Sequence, residues 1–162
     1  MKDFRDERER FNLRGIGLKN LFAKLYDAIL KNRLEKWLKI PQQQTAYQKG
    51  KGCHMHVFYV RCLIAICKKI NKSLYIGITD FEAAFDQISR RKLFQKLLEL
   101  GISMIMLRAL VEMYLINTAH IELNGEYSRT FLMTAGVLQG SATSTILFMA
   151  YTADLIRLFN ER

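Results

Sequence analysis

The sequence is poor in the residues that cross-link or interrupt a chain. It has three cysteines, Cys53, Cys62 and Cys67, and a single proline, Pro41. An odd number of cysteines without C-x-x-C spacing argues against a secreted disulfide framework and against a standard zinc site. The most apolar stretch, residues 102–116, is interrupted by two charged side chains, so no membrane span is predicted. Because the first residues are charged, unlike a signal peptide, we expect an intracellular protein, with nucleus and cytoplasm not distinguished.

The chain is instead rich in hydrophobic residues and in positive charge. Of its 162 residues, 50% are hydrophobic, which predicts a folded domain rather than a disordered chain. Lys and Arg number 25 against 15 Asp and Glu, which gives a net charge of +10. Such an excess favours a polyanionic partner, because basic side chains bind phosphates and release their counterions. A soluble basic protein without such a partner explains the charge equally well.

The apolar pattern predicts an α+β fold. Apolar residues recur at helical spacing in five segments, which predicts helices over residues 17–38, 54–70, 89–100, 103–117 and 143–159. Leu74–Thr79 is short, apolar and partly β-branched, as is typical of a buried strand. Asn124-Gly125 predicts a hairpin between residues 120–123 and 128–133. The aromatic side chains that we expect in the core are Phe22, Trp37, Phe94, Tyr47 and Tyr59, although the last two leave base stacking open.

Asp80 ends the predicted strand and opens the sequence DFEAAFD, residues 80–86. A carboxylate in this place is held at a solvated edge, and its hard oxygens suit Mg²⁺, which also keeps waters and takes substrate phosphate oxygens. Many aspartates at strand ends only cap the next helix, which is the commoner arrangement. The motif by itself leaves metal binding and helix capping open.

A second motif, GVLQGS at residues 136–141, precedes the last predicted helix. Glycines let a backbone approach a ligand closely, and a glutamine amide can bond a base or a sugar. The alternative is a glycine-rich turn in which Ser141 or Thr143 caps the helix. A phosphate-binding P-loop is excluded, because its spacing and its Lys-Ser/Thr pair are absent.

The order and separation of these motifs resemble the reverse transcriptase domain of non-LTR (LINE-type) retrotransposons, from near Phe11 to the C-terminus. Residues 80–86 are similar to the first palm motif of that family, and residues 136–141 with Leu147-Phe148 are similar to the second. Three further segments resemble family signatures, namely NLRGI at 12–16, NRL at 32–34 and QTAYQKGKG at 44–52. The departures from the family pattern are Gly15, where proline is usual, and Ala46, Lys51 and Gly52.

The resemblance implies the fingers and a partial palm of a right-hand polymerase, within one incomplete reverse transcriptase domain over residues 1–162. The fingers would cover about 1–70 and 90–135, and the palm about 71–89 and 136–162. The family's third palm motif carries two adjacent aspartates, and no such pair occurs in this sequence. We therefore expect an incomplete catalytic centre, no polymerase activity from this chain alone, and an exposed apolar face on the last helix, formed by Ile146, Leu147, Tyr151 and Leu155.

The resemblance also implies a role for particular residues. Asp80 would be the catalytic aspartate that ligates both Mg²⁺ ions, and Phe81 would lend its backbone carbonyl to a metal. Phe85 would lie under the sugar of the incoming nucleotide and reject a ribose 2′-hydroxyl. The other nucleotide-binding residues would be Arg14, at the triphosphate, and Gln139 and Gly140, which would position nucleotide and template.

The implied function is RNA-directed DNA polymerisation, with an RNA template, a DNA primer and deoxynucleoside triphosphates as partners and no membrane. Two Mg²⁺ ions would stabilise the attacking and leaving oxygens of an in-line phosphoryl transfer. The basic helices would line the path of the RNA–DNA duplex. Two alternatives stay open, a non-catalytic nucleic-acid-binding remnant of a retroelement and a structural protein whose motifs match by accident. Group II intron and telomerase-like enzymes share much of this chemistry.

Overall fold

The computed structural model describes residues 17–39, 41, 43–48, 50–115 and 117–160. These residues form five α-helices and four two-residue strands, so the α+β class is confirmed. In chain order the elements are α1 (Leu21–Trp37), α2 (Cys53–Lys69), α3 (Arg90–Glu99), α4 (Met104–Leu115), β1 (Thr118–Ala119), β2 (Glu122–Leu123), β3 (Glu126–Tyr127), β4 (Phe131–Leu132) and α5 (Ser144–Asn160). All five predicted helices are present, with ends within a few residues of the expected ones.

The predicted hairpin is present, although its strands are shorter than expected. β2 pairs antiparallel with β3 around Asn124 and Gly125, which have positive φ angles of 53° and 83°. A two-residue hairpin turn that matches the twist of its strands can have positive φ at both central residues. Asparagine and glycine tolerate this conformation best. Further from the turn, β1 pairs with β4, with Thr118 opposite Leu132 and Ala119 opposite Phe131.

The core lies between α3, α4, α5 and one face of α1. Leu93 and Leu97 of α3 pack with Leu107 and Leu110 of α4, at the three- and four-residue spacings that share a helix face. The other large buried contributions come from Leu30, Leu34, Tyr114, Ile146 and Leu147. Ser89 accepts a hydrogen bond from the Lys92 N–H at the start of α3, as its predicted capping role requires.

The expectation of an exposed apolar face on α5 was wrong for its central residues. Ile146 and Leu147 are fully buried and Tyr151 is half-buried, whereas Leu155 is 39% exposed. The reason is that α3 packs along α5 and supplies the apolar surface that these side chains need. Asp154, also on α5, pairs with Lys96 of α3, so it is a helix-packing carboxylate.

The buried strand predicted at residues 74–79 was also wrong. These residues form no strand, and Tyr75 and Ile78 are 92% and 91% exposed. A strand buried on both faces needs neighbours that pair with its edges and cover it. No segment among the described residues pairs with this one, so its strand propensity has no ladder to join.

Three aromatic predictions failed as well. Phe22 is 81% exposed, and Tyr47 and Tyr59 are also exposed, while Trp37 and Phe94 pack half-buried against the core as expected. α1 turns the face of Asp27, Leu30 and Leu34 inward, and none of the residues of α2 is buried. In the described part of the chain, no helix is long and apolar enough to cross a bilayer.

Candidate functional site

Asp80 is exposed and lies at the start of a series of turns. Its Oδ1 accepts a hydrogen bond of 3.0 Å from the N–H of Phe81, which is exposed as well. Residues 82–87 form turns in which the N–H groups of Asp86 and Gln87 both donate to the carbonyl of Ala83, at 3.0 and 3.1 Å. The next helix begins at Arg90 and is capped by Ser89. The exposed carboxylate of Asp80 therefore does not cap this helix.

The two sequence motifs meet in space. We call residues 80–88 the Asp80 segment and residues 136–143 the Gln139 loop. The N–H of Gly136 donates to the carbonyl of Ile88, and the N–H of Val137 donates to that of Phe85, both at 2.9 Å. The backbone of the loop therefore runs directly along the end of the Asp80 segment, although about fifty residues separate them in the chain.

Gly136 is required by this close approach. Its φ is +73°, and a Cβ atom there would lie 2.7 Å from the carbonyl oxygen of Asp86 and 2.9 Å from that of Phe85. Any side chain would push against backbone that cannot move aside without breaking the two hydrogen bonds. The glycine thus serves contact between two parts of the chain, whereas the sequence suggested close approach to a ligand.

Phe85 lies at the junction of the two motifs. Its ring stacks on that of Phe148 with centroids 5.2 Å apart and planes at 28°, and it meets the ring of Tyr47 edge-on at 6.3 Å. Phe148 belongs to α5, directly after the Gln139 loop. The side chain of Phe85 is half-buried against the core, so one part of it contacts protein and the rest stays accessible.

Gln139 and Gly140 lie on the outer part of the loop. The carbonyl of Gln139 accepts a hydrogen bond of 2.9 Å from the N–H of Gly17, and Gly140 is exposed with a φ of +95°. Gly140 helps to line a small cavity of about 90 Å³ together with Gly17, Lys19, Lys24, Asp27 and Ala142. Arg14, which is also predicted to bind the nucleotide, lies outside the described residues.

A buried carboxylate that the sequence analysis missed holds the far end of the loop. Asp27 of α1 is 2% exposed. Its Oδ2 accepts hydrogen bonds from the Ser141 hydroxyl and the Ala142 N–H, both at 2.7 Å. Its Oδ1 accepts from the Thr143 hydroxyl at 2.6 Å and from the Thr143 N–H at 3.2 Å. The ammonium of Lys19 completes the set, 3.3 Å from Oδ2.

The electrostatics of Asp27 follow from these partners. Burial by itself raises the pKa of the carboxyl, because a charge is costly to desolvate. The hydrogen bonds from Thr143, Ser141 and Ala142 and the positive charge of Lys19 outweigh burial and hold the pKa of Asp27 below its ordinary value. The group is therefore ionised at neutral pH.

Arg90 holds the near end of the loop and was also missed. Its guanidinium donates to the carbonyls of Gly136 at 2.9 Å, Ala135 at 3.1 Å and Tyr114 at 3.2 Å, and to that of Met133. It also lies 5.1 Å from the centroid of the Tyr114 ring. One side chain thus ties α3 to the end of α4 and to the start of the Gln139 loop.

A weak sequence signal marked Asp27. It falls on the same helix face as Leu30 and Leu34, three and seven residues later, where a carboxylate is unexpected unless it is paired. Arg90 carried no comparable signal, because arginine after a capping serine is ordinary. Most of the hydrogen-bond partners of Asp27 and of Arg90 lie more than forty residues away in the sequence. Local sequence patterns do not reveal contacts of this kind.

The described residues contain no group of three or more His, Cys, Asp or Glu side chains that could hold a metal ion. The first residue of the DFEAAFD motif is the exposed Asp80, and Phe81 follows it. An exposed carboxylate oxygen beside a backbone carbonyl is the donor type that Mg²⁺ prefers, since this ion completes its shell with waters and substrate phosphates. The donor type suits Mg²⁺, and this segment supplies a single carboxylate of the kind that a metal site would need.

The basic charge is concentrated in one stretch. Between Glu35 and Asp80 the sequence has no acidic residue and eight basic ones, namely Lys36, Lys39, Lys49, Lys51, Arg61, Lys68, Lys69 and Lys72. α2 lies within this stretch and exposes Phe58 and Tyr59, which precede the exposed Arg61 by three and two residues. Basic groups beside exposed aromatic rings are typical of surfaces that bind nucleic acid strands.

Comparison with known proteins identifies the family to which the chain belongs. The family described as "Reverse transcriptase (RNA-dependent DNA polymerase)" matches residues 6–162, so the chain belongs to the reverse transcriptase family. It is similar to the "Retrovirus-related Pol polyprotein from type-1 retrotransposable element R2" of Bradysia coprophila, with 27% identity over 149 residues. The match confirms the predicted resemblance to a non-LTR reverse transcriptase domain. It covers 91% of this chain and 17% of the relative, so the chain spans about a sixth of that protein's length.

Proposed function

We propose that this chain forms part of an RNA-directed DNA polymerase and contributes one side of its nucleotide-binding site. The observation that carries the proposal is the contact between the Asp80 segment and the Gln139 loop, made through the carbonyls of Phe85 and Ile88. It joins the backbone of the segment that carries the exposed Asp80 and the half-buried Phe85 to the backbone of the loop in which Gly140 is exposed. Phosphoryl transfer depends mainly on positioning and on neutralising charge, and such groups serve both needs.

In this proposal Asp80 and the backbone carbonyl of Phe81 hold Mg²⁺. Bound there, the metal would supply charge neutralisation at the phosphate oxygens and would orient the substrate. The exposure of the Asp80 carboxylate supports this role, and among the described residues it accepts one hydrogen bond, from the N–H of Phe81, which leaves oxygen lone pairs for an ion.

The nucleotide itself would contact four further residues. Phe85 would lie under its sugar, with the ring held in place by Phe148 and Tyr47. Gln139 and Gly140 would position nucleotide and template from the outer part of the loop. Arg14 would bind the triphosphate, and it precedes by three residues Gly17, which donates to Gln139.

The template and primer would lie along the basic stretch between Glu35 and Asp80. We assign this stretch mostly to the fingers and the two motifs to the palm, with the boundaries predicted from the sequence. The exposed Arg61, Lys68 and Lys69 of α2 would bind phosphates, and Phe58 and Tyr59 offer rings for stacking. The exposure of Tyr59 favours the stacking alternative over the core role that the sequence suggested.

We also propose that the chain alone does not polymerise. A two-metal site needs more carboxylates than Asp80, and the sequence has no adjacent aspartate pair to complete it. Primer extension on an RNA template should therefore give no product with the purified 162-residue chain. Extension dependent on Mg²⁺ would overturn this part of the proposal.

The binding function is tested with a labelled RNA–DNA hybrid that carries a recessed DNA primer. Fluorescence anisotropy should show binding that weakens with salt, and contact with about four phosphates gives a slope of log K against log salt of about −3 to −4. Gln139→Ala should weaken binding by about tenfold, the loss of one or two good hydrogen bonds. The matched control is Gln95→Ala, which removes an exposed glutamine of α3 and should leave the affinity unchanged.

A non-catalytic nucleic-acid-binding remnant is the second candidate, and the concentrated basic charge favours it as much as the polymerase. It predicts the same salt dependence, but no nucleotide binding that depends on Asp80. Absence of any salt-dependent affinity for the hybrid would contradict both candidates.

A further inference from the structure

We infer that Asp27 is a positioning residue of the nucleotide-binding site: its buried carboxylate fixes the Gln139 loop so that Gln139 and Gly140 face their ligand. The inference rests on the proposed function. Asp27 would not touch nucleotide or template, and it would act only through the loop.

The first support is the number and kind of bonds that Asp27 makes. The N–H groups of Ala142 and Thr143 lie just before α5 and have no partner within that helix. Such groups are usually capped by a nearby side chain. Here the cap comes from α1, more than a hundred residues earlier, and two hydroxyl groups donate to the same carboxylate.

The second support is that neighbours of Asp27 hold the rest of the loop. The ammonium of Lys19 donates to the Ser141 hydroxyl at 3.0 Å as well as to Asp27. The N–H of Gly17 donates to the carbonyl of Gln139 at 2.9 Å. Gly140 therefore lies between two anchored residues, and its orientation is set from both sides by residues 17–27.

The charges of Asp27 and Lys19 indicate which roles this cluster of side chains can have. The start of α5 attracts anions, but the carboxylate of Asp27 already takes that place, and Lys19 neutralises it with only 13% of its side chain exposed. A phosphate would therefore find the ammonium of Lys19 already engaged by Asp27 and Ser141, and Lys24 is the other cation that lines the cavity. The cluster is suited to holding the loop rather than to binding the substrate directly.

A double-mutant cycle separates positioning from plain stability. Asp27→Asn keeps the size of the side chain but removes its charge and replaces an acceptor oxygen with a donor. Affinity for the RNA–DNA hybrid is measured for the wild type, Asp27→Asn, Gln139→Ala and the double variant. All are compared at a temperature at which circular dichroism shows each variant to be folded.

If Asp27 acts through the loop, Asp27→Asn should weaken binding by about tenfold, and the double variant should bind no more weakly than Gln139→Ala alone. A merely structural role would not move the affinity of the folded protein. The matched control is Asp154→Asn, which removes another inter-helix carboxylate of α5, the partner of Lys96, and should leave the affinity unchanged.

Each of the other possible binding results would contradict a specific part of this account. Additive losses in the double variant, or an unchanged affinity for Asp27→Asn, would overturn the positioning role while leaving the proposed function in place. An unchanged affinity for Gln139→Ala would overturn the assignment of Gln139 and this inference together. If Asp27→Asn does not fold, Thr143→Val takes its place in the cycle, because it removes one 2.6 Å bond to Asp27 and keeps the side-chain shape.

Discussion

Two regions of this molecule both carry apolar residues at regular spacing and differ in what surrounds those residues. In α3, α4 and α5, apolar residues at helical spacing meet one another and are buried. In α2 and the segment 70–81, residues such as Val57, Ile66 and Ile78 are exposed. The difference teaches that an apolar pattern predicts an element, whereas burial depends on partners elsewhere in the chain.

The sharpest test of this difference compares two apolar truncations. Leu110 of α4 is fully buried, so Leu110→Ala should lower the free energy of unfolding by about 2–5 kcal/mol. Ile78→Ala removes an exposed side chain and should change it by less than about 0.5 kcal/mol. Urea unfolding followed by circular dichroism measures both, and similar losses would show that residues 70–81 are packed as well.

A second comparison concerns two glycines with similar backbone angles. Gly136→Ala should lower the free energy of unfolding by about 2–4 kcal/mol, because it combines left-handed strain with a clash against Asp86. Gly125 has a φ of +83° in open space, so Gly125→Ala should cost only the strain, about 1–2 kcal/mol. Equal losses in urea unfolding would contradict the close contact between the two motifs.

A third comparison uses two neighbouring arginines. Arg90→Ala leaves several carbonyls without their donor and should cost about 2–3 kcal/mol of unfolding free energy. Arg91 is exposed, and Arg91→Ala should stay within about 0.5 kcal/mol of the wild type. Thermal melting of the two variants side by side checks this, and an equally stable Arg90→Ala protein would remove the role of Arg90 as an anchor.

The smallest expected effect is a pH dependence. The folded protein holds the pKa of Asp27 below its ordinary value of 3.8, so the unfolded chain binds this proton first as the pH falls. The stability that Asp27 contributes is present above that ordinary pKa and is lost as the pH falls towards the folded pKa. The wild type should therefore lose more stability than Asp27→Asn between about pH 5 and pH 3. Parallel profiles in urea unfolding would contradict the paired state of Asp27.

Local rules predicted the elements well. The helices, the turn at Asn124-Gly125 and the cap at Ser89 each depend on residues close in sequence, and each is present. Burial was predicted less well, because the strand at 74–79 and the core role of Phe22 needed partners that the described residues do not supply.

The residues of the candidate site likewise include some that the sequence predicted and some that it did not. Its two motifs were visible in the sequence because their residue types and order resemble a family. Asp27 and Arg90 were not, since each acts through bonds to distant backbone that no local spacing reveals. The roles of Asp80, Phe85, Gln139, Gly140 and Arg14 stay predictions.

The most direct test of the central claim is Mg²⁺-dependent binding of a deoxynucleoside triphosphate to the chain in complex with the RNA–DNA hybrid. Isothermal titration would compare the wild type with Asp80→Ala and with Glu82→Ala, which removes another exposed carboxylate of the same motif. We predict that Asp80→Ala abolishes the Mg²⁺-dependent part of the binding and that Glu82→Ala retains it. Wild-type binding by Asp80→Ala would contradict the account.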